Sequence, residues 1–358
     1  MKAVTIGSAT IDVITIVDPE LIEQMTLVNE HKSFLWLEAG RKIPARSIVS
    51  HVGGGACNTA VSLARRGGWE VSALSRTGHD LNGAAVREHL EAEGVGLDRL
   101  RDVPEEATGV SSIIASHDRN ATIFVHRGAN ATIAIEDAGE GFAGVDLVHI
   151  APLSNSSAEA LPDFARAAKA AGAFVSLNPG IRQLTARGAM VLRALEDVDL
   201  LSVNRVEAEA LAPALSLDAP SSGPVPRDAP ELLKRGLSFG GFHLGLVPFM
   251  KAMMARGPRY VVVTDGGQGA YLGCPEGLVW RAPAPAEVAG TAGAGDAFTS
   301  TLAAALVEKI PPDAALAQAA VNAASVIAVV DTTEGLLDRA TIEARAAGLP
   351  PARWFGGL

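Results

Sequence analysis

Aromatic residues make up only 4% of the 358-residue chain, and cysteine occurs twice, at Cys57 and Cys274. With no CxxC pair and no ladder of spacings, neither a disulfide framework nor a structural zinc site is indicated, and a reducing cytoplasm is the expected location. Lysine and arginine number 30 against 40 aspartates and glutamates, a formal charge of -10, and the basic residues do not cluster. A nucleic-acid surface needs clustered cations, so nucleic-acid partners are excluded. Long apolar runs are also lacking. The apolar stretch from Met1 to Val17 is broken by Gly7 and Asp12, and none reaches the ~20 residues that span a bilayer, so no membrane association is expected. What remains is a 48% apolar composition that suits one large α/β domain or two smaller ones, working on small molecules.

The stretch Gly290-Thr-Ala-Gly-Ala-Gly-Asp296, followed directly by an apolar helical run from Ala297, stands out. Small residues leave backbone N–H groups uncovered, and a helix starting after them adds its own amides and the positive end of its dipole. The spacing of Gly290 to Gly295 imitates a phosphate-binding P-loop, but Asp296 and Ala297 stand where that motif has Lys and Ser or Thr. A carboxylate there would repel a bound phosphate. It fits instead as a base that takes the proton from an attacking hydroxyl while the amides hold a phosphoryl group. The alternative is a plain helix cap.

From the N-terminus, Lys2 to Ser8 reads as a strand ending in a small-residue turn, with Asp12 either facing a crevice at the strand's carboxyl end or starting the next strand. Gly53-Gly-Gly-Ala-Cys-Asn58 opens a helix through Arg66. Gly54 and Gly55 let a ligand approach the backbone, and Asn58 offers a donor and an acceptor to a sugar hydroxyl, or else caps a tight turn. Strands and helices then alternate as in a doubly wound sheet: Val71–Ser75, Leu81–Glu93, Val145–Ile150, Ser157–Ala171, Ala173–Leu177, Asp199–Val203 and Arg259–Thr264. Asn204 and Glu207 lie three apart at a helix start, which suits water-mediated ligation of Mg²⁺ beside a triphosphate, or a capping pair. Thr264 followed by Gly266 and Gly269 suits nucleotide phosphates, or a simple turn. Residues 218–258 read as a surface excursion. The alanine-rich helices Ala297–Glu308 and Asp313–Val330 leave room for a flat ring, so Asn322 either lines an adenine slot or is satisfied inside the fold. Two pairs of strand-like runs break the alternation: Ser33–Leu37 with Ile43–Val49, and Gly109–Ser116 with Ala121–His126 across a turn at 117–120. They suggest a small β-sheet lid, residues 19–52 and 109–127, over a large α/β domain of residues 1–18, 53–108 and 128–358. An open lid edge also offers a lid-to-lid homodimer.

Taken in order, these signals resemble the ribokinase-like, or PfkB, family of carbohydrate and nucleoside kinases. The resemblance runs through Gly7-Ser8 with Asp12, Gly53-Gly-Gly-x-x-Asn58, Arg76-Thr-Gly-His-Asp80 with Gly83, Asn204-x-x-Glu207, Thr264-x-Gly266-x-x-Gly269 and Gly293-Ala-Gly-Asp296. It implies a doubly wound α/β domain with a β lid, and transfer of the γ-phosphoryl group of ATP to a hydroxymethyl group with Mg²⁺. It implies further that Asp296 is the base and that Gly293, Ala294 and Gly295 form the anion hole. Asp12, Gly54, Gly55 and Asn58 would hold the acceptor, Asn204, Thr264, Gly266 and Gly269 the nucleotide, and Glu207 the magnesium through water; Asn322 joins the nucleotide-binding candidates from the reading of the alanine-rich helices alone. Gly290 replaces the Asp that contributes to a monovalent-cation site in such proteins, so potassium activation is not expected; Ala292 also departs from the usual pattern, and Arg205 stands where many relatives have Glu, which bears on how the magnesium is held. A small sugar is the first expectation for the acceptor. The alternatives are a nucleoside, for which Phe34, Trp36 or Phe124 would supply a stacking wall, and a nucleotide sensor without catalysis. A dinucleotide dehydrogenase is disfavoured because no GxGxxG follows the first strand.

Overall fold

In the computed structural model, which describes residues 1–27, 32–115, 121–215 and 225–356, the buried apolar runs line up as one ten-stranded sheet. Its order is Arg353–Trp354, Gly277–Arg281, Ala270–Cys274, Tyr260–Thr264, Leu200–Asn204, Phe174–Leu177, Leu147–Ile150, Lys2–Ile6, Glu70–Gly78 and Leu100–Val103. Neighbours from Tyr260–Thr264 to Leu100–Val103 are parallel, and the remaining edge is antiparallel. Successive strand side chains point to opposite faces, so Val261 and Val263 join one core with Phe164, Leu184 and Phe249. Val262 joins the other, with Leu63, Leu90, Leu302 and Leu316. Helices cover both faces, which is the doubly wound α/β fold expected. None of the described helices is long and apolar enough to cross a membrane.

The chain proceeds from Lys2–Ile6 outward to Glu70–Gly78 and Leu100–Val103, then returns to Leu147–Ile150 on the other side of the first strand. At such a reversal the loops at the carboxyl ends part and leave a crevice. Two helices point their N-termini there, Gly55–Arg66 and Ala294–Val307. Buried hydroxyls fix them: Thr5 donates to the Ala56 carbonyl at 2.8 Å, Ser202 and Thr299 lie 2.8 Å apart, and Ser300 donates to Ser62 at 2.8 Å.

A separate four-stranded sheet has the order Ala45–Gly53, Thr10–Val17, Gly109–Ala115, Ala121–His126. Thr10–Val17 is antiparallel to the first and parallel to Gly109–Ala115. Residues 10–17 were expected in the large domain, but this pairing puts them inside the small sheet. The reason is the bend at Gly7-Ser8-Ala9, which turns the chain out of the large sheet after only five residues of strand. The hairpin Glu23–Leu27 with Lys32–Trp36 stands apart from both. The expected turn at 117–120 lies outside the described residues.

The segment read as a surface excursion also contributes to the core within its described residues, 225–258. It contains the helices Glu231–Arg235 and Leu246–Met254, and Leu232, Leu237, Leu246, Phe249, Met250 and Met253 are fully buried. The spacing 246, 249, 250, 253 is the apolar stripe of a helix, hidden from a quick reading by the surrounding Gly and Phe.

One buried side chain fastens the crossing between sheets. Asn130 donates to the Ala9 carbonyl and accepts from the Ala9 amide, both at 2.8 Å, and Ser75 also donates to it at 3.2 Å. Asn130→Ala orphans both buried backbone groups, so a loss of roughly 2–4 kcal/mol is expected; a urea midpoint unchanged from wild type would contradict this role.

Candidate active site

Asp296 lies in the first turn of the helix Ala294–Val307, whose N-cap is Gly293 in the left-handed region at φ 77°. A Cβ at Gly293 would sit 2.7 Å from the Thr332 carbonyl oxygen, so both backbone angle and space require glycine. No side chain caps this helix. The Asp296 carboxylate instead accepts from Asn58 Nδ2 at 2.8 Å, and Asn58 Oδ1 accepts from Thr332 Oγ1 at 3.1 Å. Asn58 itself is in the first turn of Gly55–Arg66. Two helix N-termini therefore meet at one carboxylate. Burial pushes the Asp296 pKa up to about 6; the Asn58 hydrogen bond pulls it down, and the nearby charge of Asp12 adds to the rise. No cation pairs with it among the described residues.

The crevice beside Gly54 and Gly55 is shaped by close backbone contacts. Gly54 has φ 96°, and a Cβ there would meet the Ser8 carbonyl oxygen at 2.4 Å; a Cβ on Gly55 would meet Ala151 Cβ at 2.5 Å. Gly55 N–H donates to Ser8 Oγ at 3.2 Å. Asp12 sits in the central lid strand, in register with His51 on one side and Ser111 on the other. Burial raises its pKa against the hydroxyls of Ser111 and Thr10 and the charge of His51, which lower it. His51 Nδ1 lies 2.5 Å from Asp331 Oδ2, joining the lid to the loop that carries Thr332. Asp331 is itself held by the amides of Thr333 and Glu334 at 2.6 and 2.7 Å. Sequence reading missed His51, Asp331 and Thr332. The available signal was His51 standing two residues before Gly53; nothing local marks the other two, which are 280 residues downstream of His51 or more.

On the other side of Asp296, Asn204 and Thr264 end neighbouring parallel strands in the same row. Asn204 caps the helix Arg205–Leu211: its Oδ1 accepts from Glu207 N–H at 3.0 Å, and Glu207 Oε2 accepts from Asn204 N–H at 2.9 Å. The capping pair is thus present. Burial also pushes the Glu207 carboxyl up to about 7, against the Asn204 amide and with the charge of Asp296 adding to it. Arg205 donates from Nε to Asp265 at 2.9 Å, which ties this helix to the loop holding Gly266 and Gly269. Positions Gly266 and Gly295 open onto free space, with nothing within 4 Å of a Cβ. Gly290 is bonded through its N–H to the Ile327 carbonyl at 3.2 Å and brings no carboxylate. Asn322 corrects the sequence reading. It is fully buried, its Nδ2 donates to Thr301 at 2.8 Å and its Oδ1 accepts from Leu337 N–H at 3.0 Å. It therefore faces no slot, because the alanine-rich helices around it close on each other instead of leaving a gap.

The family profile described as pfkB family carbohydrate kinase matches residues 2–339. The chain belongs to this family. It is a kinase that acts on a sugar or nucleoside hydroxyl. Among curated relatives, an ATP-dependent ribose-1-phosphate kinase of Halopiger xanaduensis is 30% identical over 266 residues, 74% of this chain and 76% of that protein. Among solved structures, a Burkholderia thailandensis nucleoside kinase in complex with inosine superposes with a TM-score of 0.73 at 19% identity, covering 98% of this chain and 100% of that one. An Arabidopsis thaliana ribokinase complexed with ribose and ATP gives 0.70 at 22% identity, covering 96% and 98%. The two superpositions establish the pfkB-family fold.

Because Asn322 is a core residue of this kinase, Asn322→Ala should lower stability by about 1–3 kcal/mol through unpaired buried groups and leave the KM for ATP within twofold. A tenfold rise in that KM with unchanged stability would return Asn322 to the nucleotide site.

Proposed function

We propose that this pfkB-family kinase transfers the γ-phosphoryl group of ATP to a hydroxyl of a small sugar, with Asp296 as the base. The observation that carries the reading is the Asp296 carboxylate, held by Asn58 where two helix N-termini meet and without a cation partner among the described residues. Asp12, Gly54, Gly55 and Asn58 hold the acceptor so that its hydroxyl reaches Asp296. The hydroxyl oxygen bonds to the γ-phosphorus as the bond to the β-bridging oxygen breaks, and its proton passes to an Asp296 oxygen. The amides of Gly293, Ala294 and Gly295 stabilise the charge on the moving group. Thr264, Gly266, Gly269 and Asn204 seat the nucleotide, and the free space at Gly266 and Gly295 fits phosphates approaching the backbone. Mg²⁺ would neutralise phosphate charge, held through water by Glu207. Gly290 brings no carboxylate for a monovalent cation, so no potassium requirement is part of the reading.

The lid register removes one of the three stacking candidates of the nucleoside reading. Asp12 pairs through Ser111 with Val125, whereas Phe124 is one residue out of that row and points to the opposite face. Phe124 therefore supplies no stacking wall beside Asp12. The exposed lid residues Ile48 and Phe124, both on the face away from Asp12, support a lid-to-lid homodimer; sedimentation at micromolar concentration should give twice the chain mass, and a monomer would remove this part of the reading.

The base assignment is tested by Asp296→Asn. Turnover on a pentose and hexose panel should fall at least ~100-fold with nucleotide affinity little changed; retention of more than a tenth of the activity would sink the assignment. Since a base must be ionised, kcat/KM should fall as pH drops through about 6. The stability sign is opposite. A carboxylate whose folded pKa is raised binds its proton more tightly when folded, so it destabilises the fold above that pKa and ceases to do so as pH falls toward the unfolded value. The Asn variant should consequently melt at a temperature equal to or above wild type at pH 7.5, despite its loss of turnover.

A further inference from the structure

The lid sheet meets the large domain at one end, where Thr10 is in register with Gly53 and Gly109. Attachment at one end acts as a hinge and leaves the seating of the rest of the sheet to side chains. Among the described residues, the only ion pair between the lid sheet and the large domain is His51 with Asp331, and both side chains are largely enclosed.

Asp331 is prepared for this contact. Its Oδ1 accepts from Thr333 N–H at 2.6 Å, from Glu334 N–H at 2.7 Å and from the Thr333 hydroxyl at 2.9 Å, which leaves Oδ2 for His51. Burial would raise its pKa, but those two amides, that hydroxyl and the charge of His51 hold it below the usual carboxylate value. A ring nitrogen this close to an ionised carboxylate carries a proton, so His51 Nδ1 donates whether the ring is neutral or charged. From the other side, Arg65 donates to the Thr333 carbonyl at 2.6 Å while paired with Glu93. The loop is thus braced by the helix Gly55–Arg66 and, through His51, by the lid.

The same loop touches both helix starts of the site. Thr332 Oγ1 donates to Asn58 Oδ1 at 3.1 Å, and a Cβ on Gly293 would stand 2.7 Å from the Thr332 carbonyl oxygen. An amide whose oxygen is engaged by a hydroxyl must turn its nitrogen the other way. Thr332 therefore selects the orientation in which Asn58 Nδ2 donates to Asp296 at 2.8 Å. His51 is also the register partner of Asp12. Burial leads the rise in the Asp12 pKa, the charge of His51 opposes it and that of Asp331 adds to it, so His51 stands between two carboxylates that repel across the seam.

We propose that His51 is a positioning residue of this kinase, seating the lid on the 331–334 loop and so fixing, through Thr332 and Asn58, the orientation of Asp296. The inference rests on reading Asp296 as the base. With the pair intact, the acceptor hydroxyl is held at Asp296 and water is kept out. With the pair broken, the lid seats loosely and water takes the place of the acceptor. Its oxygen bonds to the γ-phosphorus as the bond to the β-bridging oxygen breaks, giving ADP and inorganic phosphate.

The test compares wild type with His51→Gln, Asp331→Asn and the two combined; Asn at 331 keeps the turn-forming oxygen and loses the charge. Kinetics are measured for ATP and a pentose and hexose panel, together with the share of ATP converted to inorganic phosphate and amide hydrogen exchange. Each single variant should raise the KM of the best panel sugar and the phosphate share ~10-fold and lower kcat ~3–10-fold, as expected for loss of one charge-assisted contact. The KM for ATP should stay within twofold. The double variant should be no worse than the poorer single one, because both changes break one contact. Exchange should quicken in residues 45–53 and 331–334 and stay unchanged in Tyr260–Thr264. Wild-type phosphate share and exchange in either variant, or losses that multiply in the double variant, would overturn the proposal. So would a lowered melting temperature with an unchanged phosphate share. Asp296→Asn is run alongside: if it keeps its turnover, the base reading falls and takes this role with it, whereas an inactive Asp296→Asn beside a wild-type-like His51→Gln removes the role of His51 alone. If no panel sugar turns over, ATP hydrolysis and exchange decide in the same way. Should His51→Gln fail to fold, Asp331→Asn makes the comparison by itself.

Discussion

The hydrogen bond between Asn58 and Asp296 is the constraint on which the rest of the site depends. It joins the first turns of two helices that are 238 residues apart in sequence, and it sets where both N-termini point. Helix N-termini favour negative charge, so the meeting point would by itself hold a carboxylate ionised. Burial acts the other way and dominates, leaving Asp296 with a pKa of about 6. The result is a carboxylate ionised at neutral pH that still has appreciable affinity for a proton, which suits a base acting as a bond to phosphorus forms.

The packing beneath explains how that meeting point is held. Alanine and serine dominate the facing surfaces of the two helices, and Ser62 with Ser300, and Ser202 with Thr299, connect them to each other and to the sheet. Small side chains allow close approach and buried hydroxyl pairs fix the rotation, since a turned helix would strand a polar group. The lid is tied to the same place. His51 reaches Asp331, whose neighbour Thr332 holds Asn58, so lid strand, loop and both helices form one hydrogen-bonded chain. This arrangement keeps Asp12 close enough to Asp296 for its charge to add to the rise of the Asp296 pKa.

The fold was legible because its signals are local and repeated. Buried parallel strands such as Tyr260–Thr264 read as unbroken apolar runs, and glycine marked helix ends at Gly94 and Gly172. The lid was visible as a break in that alternation, but its central strand was not, since Thr10–Val17 follows the first strand after only a short bend. The buried helix Leu246–Met254 was missed because the Gly- and Phe-rich residues before it masked its periodicity. Of the site, the glycines and Asp296 could be found by type and spacing. Asn322 could not be placed, because whether a polar residue lines a slot or fills a core depends on how closely its neighbours pack.

The sequence by itself determined the alternation of strands and helices, the small-residue turns, and the presence of a carboxylate at the mouth of the Ala294–Val307 helix. These follow from backbone sterics and apolar periodicity, which act over a few residues. Only the tertiary structure decided that Asp296 bonds Asn58 instead of capping its own helix, and that His51 and Asp331 join lid to core. Each of those depends on the register of strands and the crossing of helices far apart in the chain, where the choice between partners is made by burial and by which polar groups would otherwise be left unpaired.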